Sequence, residues 1–248
     1  MLLTYEDQTV DFDIDYIKSF KKIGMSLSGG TDSALLFYLL LKFVDDIEIF
    51  PWCGIDVHRP AHIWHAREIY ETYMEMFPNA TNVLPLYEFK VDTRDEWWIK
   101  YSLVQHEKDV ANVMGPVSGG LVKQVIIGHH AKQMMYRGKA AMHINALTAN
   151  PPKEVAESLG FLDKCEERRF SSDSETKLNS FYKPFRNVDK KWVFGMYEKF
   201  GLLDTIYPIT QSCIGHAKET QYFTVPCKQC YWCHEKLWSF GSYDGGVL

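Results

Sequence analysis

Ser28-Gly29-Gly30-Thr31-Asp32-Ser33 places three hydroxyls, two glycines and a carboxylate in six consecutive positions. Paired glycines admit positive φ and let main-chain N–H groups close on an anion with no Cβ between. The hydroxyls add donors, and Asp32 can orient the turn or hold Mg2+, an ion that prefers oxygen ligands. This combination suits the holding of a phosphate chain. A Walker loop would need G-x-x-x-x-G-K-[ST], and no lysine stands here. A second constellation lies near the other end, where Cys213, Cys227, Cys230 and Cys233 follow the spacing C-x13-C-x2-C-x2-C. Thiolates three residues apart can fold back onto one ion, and a fourth from a preceding loop closes a tetrahedral shell of the structural Zn2+ type. An iron–sulfur cluster is the rival occupant, and His216 or His234 could each replace one cysteine. Cys53 and Cys165 have no partners nearby in sequence and are read as core or incidental thiols.

The elements around the glycine turn must aim it. Lys22-Ile23-Gly24-Met25-Ser26-Leu27 reads as a buried strand, and the apolar run Ala34 to Leu41 as a helix whose N-terminus faces the same anion. Ile47 to Cys53 is expected as the next strand and Pro60 to Phe77 as a helix. Val83 to Phe89 is a strand with an awkward Pro85, which predicts an edge position or a bulge. A helix over 95–114 and a short strand Gln124 to Gly128 follow. The βαβα order predicts an α/β fold, a parallel sheet flanked by helices with ligands at the carboxyl ends of the strands. Residues 137–186, with Asn150-Pro151-Pro152 and a polar run from Ser171 to Glu175, read as a flap or insertion. Lys190 to Phe200 is helical, with Gly201 as its cap. His62 and His65 read as surface neighbours on a helix, with no metal assigned to them.

The turn resembles the pyrophosphate loop of the PP-loop ATP pyrophosphatases, which split ATP into AMP and pyrophosphate. With Ser212-Cys213 and Cys227-x-x-Cys230-x-x-Cys233 added, the chain resembles the 7-cyano-7-deazaguanine synthases (QueC). That resemblance implies an adenine nucleotide alpha hydrolase-like domain over residues 1–205, with a small zinc-binding region, 206–248, packed on it. It implies ATP, Mg2+ and Zn2+ as cofactors, and a carboxylate such as 7-carboxy-7-deazaguanine converted with ammonia to amide or nitrile (preQ0). Ser28, Gly29, Gly30, Thr31, Asp32 and Ser33 would hold the phosphates, and Gly54 and Ile55 would lie near adenine. Asp32, Ser33, Lys190 and Lys191 are the catalytic candidates, with Arg186 next. His129 and Tyr136 are the substrate candidates, although Gly128 to Arg137 carries no Tyr-Pro-Asp-Cys-Arg motif. The acceptor therefore stays open: a protein amine, a tRNA base to be thiolated, or no reaction at all, in a zinc module stacking bases on Tyr231, Trp232 and Trp238.

Bulk properties narrow the classes. The 248 residues are 46% hydrophobic and 24% charged, values of a folded globular chain. The formal net charge of −5 argues against a broad nucleic-acid surface. No stretch has the apolar length of a membrane span, and the first residues carry acids where a signal peptide carries Lys or Arg. A cytoplasmic location is expected, with six cysteines as thiols or metal ligands. A homodimer is compatible with the sequence and not required by it.

Overall fold

The structure, a computed structural model, describes residues 1–56, 61–91, 140–160, 177–178 and 181–247. Two short strands, β1 (Leu2–Tyr5) and β2 (Gln8–Asp11), form an antiparallel hairpin, and α1 (Ile14–Lys18) follows, capped by the Asp13 carboxylate. The hairpin has none of the Asn-Gly or Asp-Gly signals of tight hairpins. Its turn residue Glu6 takes a positive φ of 52° without glycine, so its sequence gave no cue.

The main sheet is built from β3 (Lys22–Ser26), β4 (Glu48–Asp56), β5 (Tyr87–Val91), β6 (Met142–Ile144), β7 (Lys177–Leu178) and β8 (Phe181–Tyr182). Their order is β5-β4-β3-β6-β8-β7, with every pair parallel except β7 and β8. Strand β5 lies at an edge and starts two residues after Pro85. Before it, Val83 makes only an isolated bridge to Ile49. Pro85 cannot donate to a ladder, which accounts for the late start.

Part of 137–186 corrects the expectation of a flap. Met142–Ile144 pairs with β3 in the middle of the sheet, and Phe181–Tyr182 pairs with β6. Strands of two or three residues are too short to show a period, which is why this stretch reads as irregular. The segment also contains a helix, α4 (Lys153–Ser158). The expected helix over 95–114, the strand Gln124 to Gly128, His129, Tyr136 and the Ser171 to Glu175 run all lie outside the described residues.

Helices α2 (Thr31–Phe43) and α3 (Ala61–Met76) flank the sheet and share an aromatic seam. Phe37 stacks on Tyr70 at 6.1 Å and meets Tyr73 edge-on at 5.7 Å. Leu35, Leu36, Phe37, Leu39 and Leu40 are fully buried, so α2 is a core helix and not an amphipathic one. Next comes α5 (Lys190–Lys199), where the N-terminal hairpin fixes the start. Gln8 and Asp189 exchange hydrogen bonds, Nε2 to Oδ1 at 3.0 Å and N–H to Oε1 at 2.8 Å, while Asp189 caps the helix through the Lys191 N–H. Gly195 is required by this packing, because a Cβ there would lie 2.1 Å from the Tyr5 ring.

The C-terminal residues lie on the same core. Tyr207 stacks on Phe240 of α6 (Tyr231–Phe240) at 4.6 Å, and Tyr197 of α5 meets both rings edge-on. Among the described residues no helix is long and apolar enough to cross a membrane.

Candidate functional site

Strand β3 runs through Leu27 and Ser28 into a turn that opens α2. Gly29 has φ +84°, and a Cβ there would lie 2.6 Å from the His62 carbonyl oxygen, so glycine is required on both backbone and steric grounds. Gly30 is the N-cap residue and offers no side chain, which leaves the helix N-terminus without a side-chain cap. Ser33 folds back over the turn: its Oγ donates to the Gly30 carbonyl at 3.0 Å and accepts from the Ser28 N–H at 3.1 Å. The Ser28 and Ser33 hydroxyls lie 3.1 Å apart. Thr31 is fully buried, and its Oγ1 has no hydrogen-bond partner among the described residues. An uncapped helix N-terminus with its positive dipole end and an orphaned hydroxyl give this turn the chemistry that suits an anion.

Two walls hold the turn. On one side His62, His65 and Ala66 of α3 press on Gly29. On the other, the Gln211 N–H donates to the Gly29 carbonyl at 2.8 Å, and Ser212 Oγ would stand 3.2 Å from a Cβ at Gly30. The histidines join these walls, with His65 Nδ1 2.8 Å from the Ile209 carbonyl and His62 Nε2 3.2 Å from that of Cys213. Both ring nitrogens act as donors to these carbonyls, so the two residues are structural bolts. The expectation of a surface pair is corrected for His62, which is buried. Its helical spacing gave no sign of the segment that covers it.

Lys190 and Asp32 meet at the mouth. Lys190 Nζ lies 2.6 Å and 2.5 Å from the two Asp32 oxygens and 3.6 Å from Glu235 Oε2. The lysine side chain is 2% exposed and the Asp32 carboxylate 20% exposed, so the ammonium is buried with its counter-ions while Asp32 faces outward. Lys191, the next residue, turns away and lies over the Trp238 ring at 5.2 Å. The structure thus separates the two lysine candidates, bringing only Lys190 to Asp32. Gly54 and Ile55 sit at the carboxyl end of β4. Since Ser26 is level with Trp52 across the parallel ladder, they stand beside the Ser28 turn.

The four cysteines converge although 20 residues of sequence separate the first from the last. Their Sγ atoms lie within 4.8 Å of one another, with Cys230 to Cys233 at 3.5 Å and Cys227 to Cys233 at 3.9 Å. A tetrahedral zinc site with Zn–S of about 2.3 Å needs sulfurs about 3.8 Å apart, so the donor set fits a thiophilic ion. Backbone N–H groups of Gly215 and Cys227 donate to Cys213 Sγ at 3.3 and 3.2 Å, contacts that would favour its thiolate form on an ion. Hydrogen bonds from Cys213 and then Cys233 pull the Cys230 thiol down to about 2, and the same hydrogen bond with Cys230, ahead of burial, holds Cys213 up at about 12. Gly215 is the residue that sequence reading missed: a Cβ there would lie 2.5 Å from Cys227 Cβ. Cys53 stands apart, buried in the main core.

Helix α6 carries two further buried charges unremarked in the sequence. Glu235 is 1% exposed and accepts from the Tyr231 hydroxyl at 3.1 Å; Lys236, fully buried, bonds Asp244 Oδ1 at 2.8 Å. Burial lowers the Lys236 pKa while Asp244 raises it. In sequence, His234-Glu235-Lys236 reads as an ordinary solvated helix face, so only the tertiary packing reveals them. Tyr231 is itself buried and meets Trp232 edge-on, which removes its ring from the set of exposed stacking surfaces.

No family model matches the chain, and no curated protein matches it. Among solved structures, it is similar to the U34-tRNA thiolase NcsA from Methanococcus maripaludis with its [4Fe-4S] cluster, at 15% identity and a TM-score of 0.43. The match covers 88% of this chain and 64% of that one. It is also similar to the NH3-dependent NAD synthetase from Campylobacter jejuni, at 13% identity and a TM-score of 0.45, covering 79% of this chain and 72% of that one. A third is the NMN synthetase from Francisella tularensis, at 14% identity, a TM-score of 0.42, and coverage of 93% and 81%. At these values the likeness carries no argument about reaction or ligand, and the fold stands on the strand order and register described above.

Proposed function

We propose that this chain cleaves ATP between the α- and β-phosphates and uses the nucleotide to adenylate a carboxylate. The observation that carries the reading is the buried Lys190 ammonium, held by Asp32 beside an uncapped helix N-terminus and the Gly29-Gly30 turn. Positive charge, free N–H donors and hydroxyls converge on one point without a Walker lysine, as a departing pyrophosphate requires. A carboxylate oxygen attacks the α-phosphorus, the bond to the bridging oxygen breaks, and pyrophosphate leaves into the turn. Ammonia then attacks the acyl carbon and expels AMP, giving the amide. Repetition on the amide oxygen with a second ATP, and loss of AMP and a proton, gives the nitrile. Lys190 neutralises charge on the leaving group, Ser28, Thr31 and Ser33 orient it, and Gly54 and Ile55 border the nucleotide. Mg2+, when bound, supplies further neutralisation of the phosphates; Asp32 is its candidate ligand and would share its carboxylate with Lys190.

The substrate we propose is 7-carboxy-7-deazaguanine, with ammonia as the nitrogen donor, on the resemblance of the glycine turn and the cysteine tail to the QueC enzymes. His129 and Tyr136 remain the proposed contacts for it, and Lys191 ranks below Lys190 as a catalytic candidate. In the same reading, residues 1–205 form the nucleotide domain, and 206–248 a region tied together by Zn2+ on Cys213, Cys227, Cys230 and Cys233. Incubating the zinc-loaded protein with this acid, Mg2+, ATP and ammonium tests the substrate: amide or nitrile by mass spectrometry supports it. An unchanged acid, from protein that releases AMP with another carboxylate or with a protein amine, rejects it and moves the reading to that acceptor. Stoichiometric iron with acid-labile sulfide in place of zinc would favour a thiolation chemistry instead.

A further inference from the structure

The cysteine cluster and the glycine turn are joined by one short segment, and a single carboxylate holds that segment in place. Asp244 is buried at 4% exposure, and its Oδ2 accepts from the N–H groups of both Ser212 and Cys213, at 2.8 and 2.7 Å. Its other oxygen takes Lys236 Nζ at 2.8 Å. Lys236 lies three residues beyond Cys233 on α6, a helix whose N-cap residue is Cys230. Two of the four cysteines thus set the helix that carries the lysine, and a third, Cys213, ends the segment that the carboxylate grips. One residue further back, Gln211 donates to the Gly29 carbonyl at 2.8 Å. The path from cluster to turn therefore runs through hydrogen bonds and short stretches of backbone, with Cys213, Cys233, Lys236 and Asp244 all buried.

We propose that Asp244 is a positioning residue for the glycine turn, transmitting the order of the four-cysteine cluster to Gly29 and Gly30 through the backbone of Gln211, Ser212 and Cys213. That the turn receives a phosphate rests on the function proposed above; the tether stands on the hydrogen bonds alone. Its physical basis is that a buried carboxylate with three donors has one low-energy arrangement. The two N–H groups it accepts from are fixed relative to α6 only while the lysine and the cluster hold their places. Releasing the cluster frees α6 at its N-terminus, Asp244 loses its fixed partner, and Gln211 no longer holds Gly29 against α3. Because coupling between sites is reciprocal, an anion in the turn must in return tighten the cluster's hold on its metal.

The test uses the full chain loaded with zinc, the same protein after zinc withdrawal by a chelator, and the Asp244→Asn variant, which keeps the shape and removes the charge. Residue-resolved hydrogen exchange reads the Gln211 and Ser28 amides against those of the hairpin Leu2–Tyr5 and Gln8–Asp11, which shares no bond with the path. The proposal expects exchange at Gln211 and Ser28 to rise by at least about tenfold in both states while the hairpin is unchanged. Unchanged Gln211 and Ser28 amides, or a rise shared equally by the hairpin, overturn it. If Asp244→Asn does not fold, zinc withdrawal from the unmodified chain carries the same two outcomes. A second arm titrates inorganic pyrophosphate with Mg2+ by calorimetry. Weaker binding by about tenfold in Asp244→Asn accompanies the exchange result, and equal affinity in the two proteins counts against the tether. Pyrophosphate failing to bind the zinc-loaded wild type would reject the phosphate reading, and the exchange arm would still decide the tether.

Discussion

Lys190 shows how a residue's environment, more than its type, assigns its work. Lys190 and Lys191 are adjacent and chemically identical, yet one is buried against Asp32 and Glu235 and the other lies on Trp238. Replacing Lys190 by Met should lower the rate of AMP formation by about a hundredfold or more, the scale of one removed electrostatic donor, while Lys191→Met leaves it within a few fold; steady-state kinetics on both variants checks this. Asp32 has a structural share as well as its proposed functional one, since its loss strands a buried ammonium. Asp32→Ala should therefore lower unfolding stability by about 3 kcal/mol, somewhat relieved by Glu235, read from urea denaturation. His143 gives a separate expectation. It is fully buried in β6, where burial first and Lys183 second lower its pKa from 6.5 to about 3. Held neutral when folded, it gains its proton only on unfolding. Between pH 6.5 and about 3 the unfolded state thus binds more protons, and stability falls as the pH falls. The expected slope is about 1.4 kcal/mol per unit at its steepest, and His143→Leu should remove that share of it; a stability curve against pH in both proteins decides.

At the scale of elements, packing overrides local preference at two glycines. Alanine is the better helix former by about 1 kcal/mol, so propensity alone makes Gly195→Ala stabilising. The Tyr5 ring forbids it: overpacking of this kind typically costs 1–3 kcal/mol, and a contact of 2.1 Å puts the expected net loss at about 2 kcal/mol. Adding Tyr5→Ala should recover part of the loss, which thermal melting of the single and double variants would show. The same reasoning explains what could be read in advance. Strand β3, its turn and α2 were legible because local signals and tertiary role agree there: an apolar run, paired glycines, then a long apolar helix. Strands β6 and β8 were not, because two or three residues show no period and gain their place from neighbours on either side. Gly195 and Gly215 were equally silent, since the atoms that exclude a side chain come from Tyr5 and Cys227, 190 and 12 residues away.

For the whole molecule, the cysteine spacing announced the four-cysteine cluster, but nothing in it announced the cluster's relation to the turn. The Gln211 to Cys213 segment, Lys236 and Asp244 link the two only through the fold, so their roles were invisible in a linear reading. The four cysteines fit one thiophilic ion, and metal analysis of protein purified without added zinc should find one zinc per chain; Cys230→Ser should lower both the zinc content and the melting temperature, whereas Cys53→Ser should leave the zinc in place. The central claim concerns which bond of ATP breaks. It is tested most directly by separating the nucleotide products after incubation of zinc-loaded protein with ATP, Mg2+, ammonium and a panel of carboxylates that includes 7-carboxy-7-deazaguanine. The account predicts AMP and pyrophosphate in equal amounts; ADP and free phosphate as the main products would contradict it.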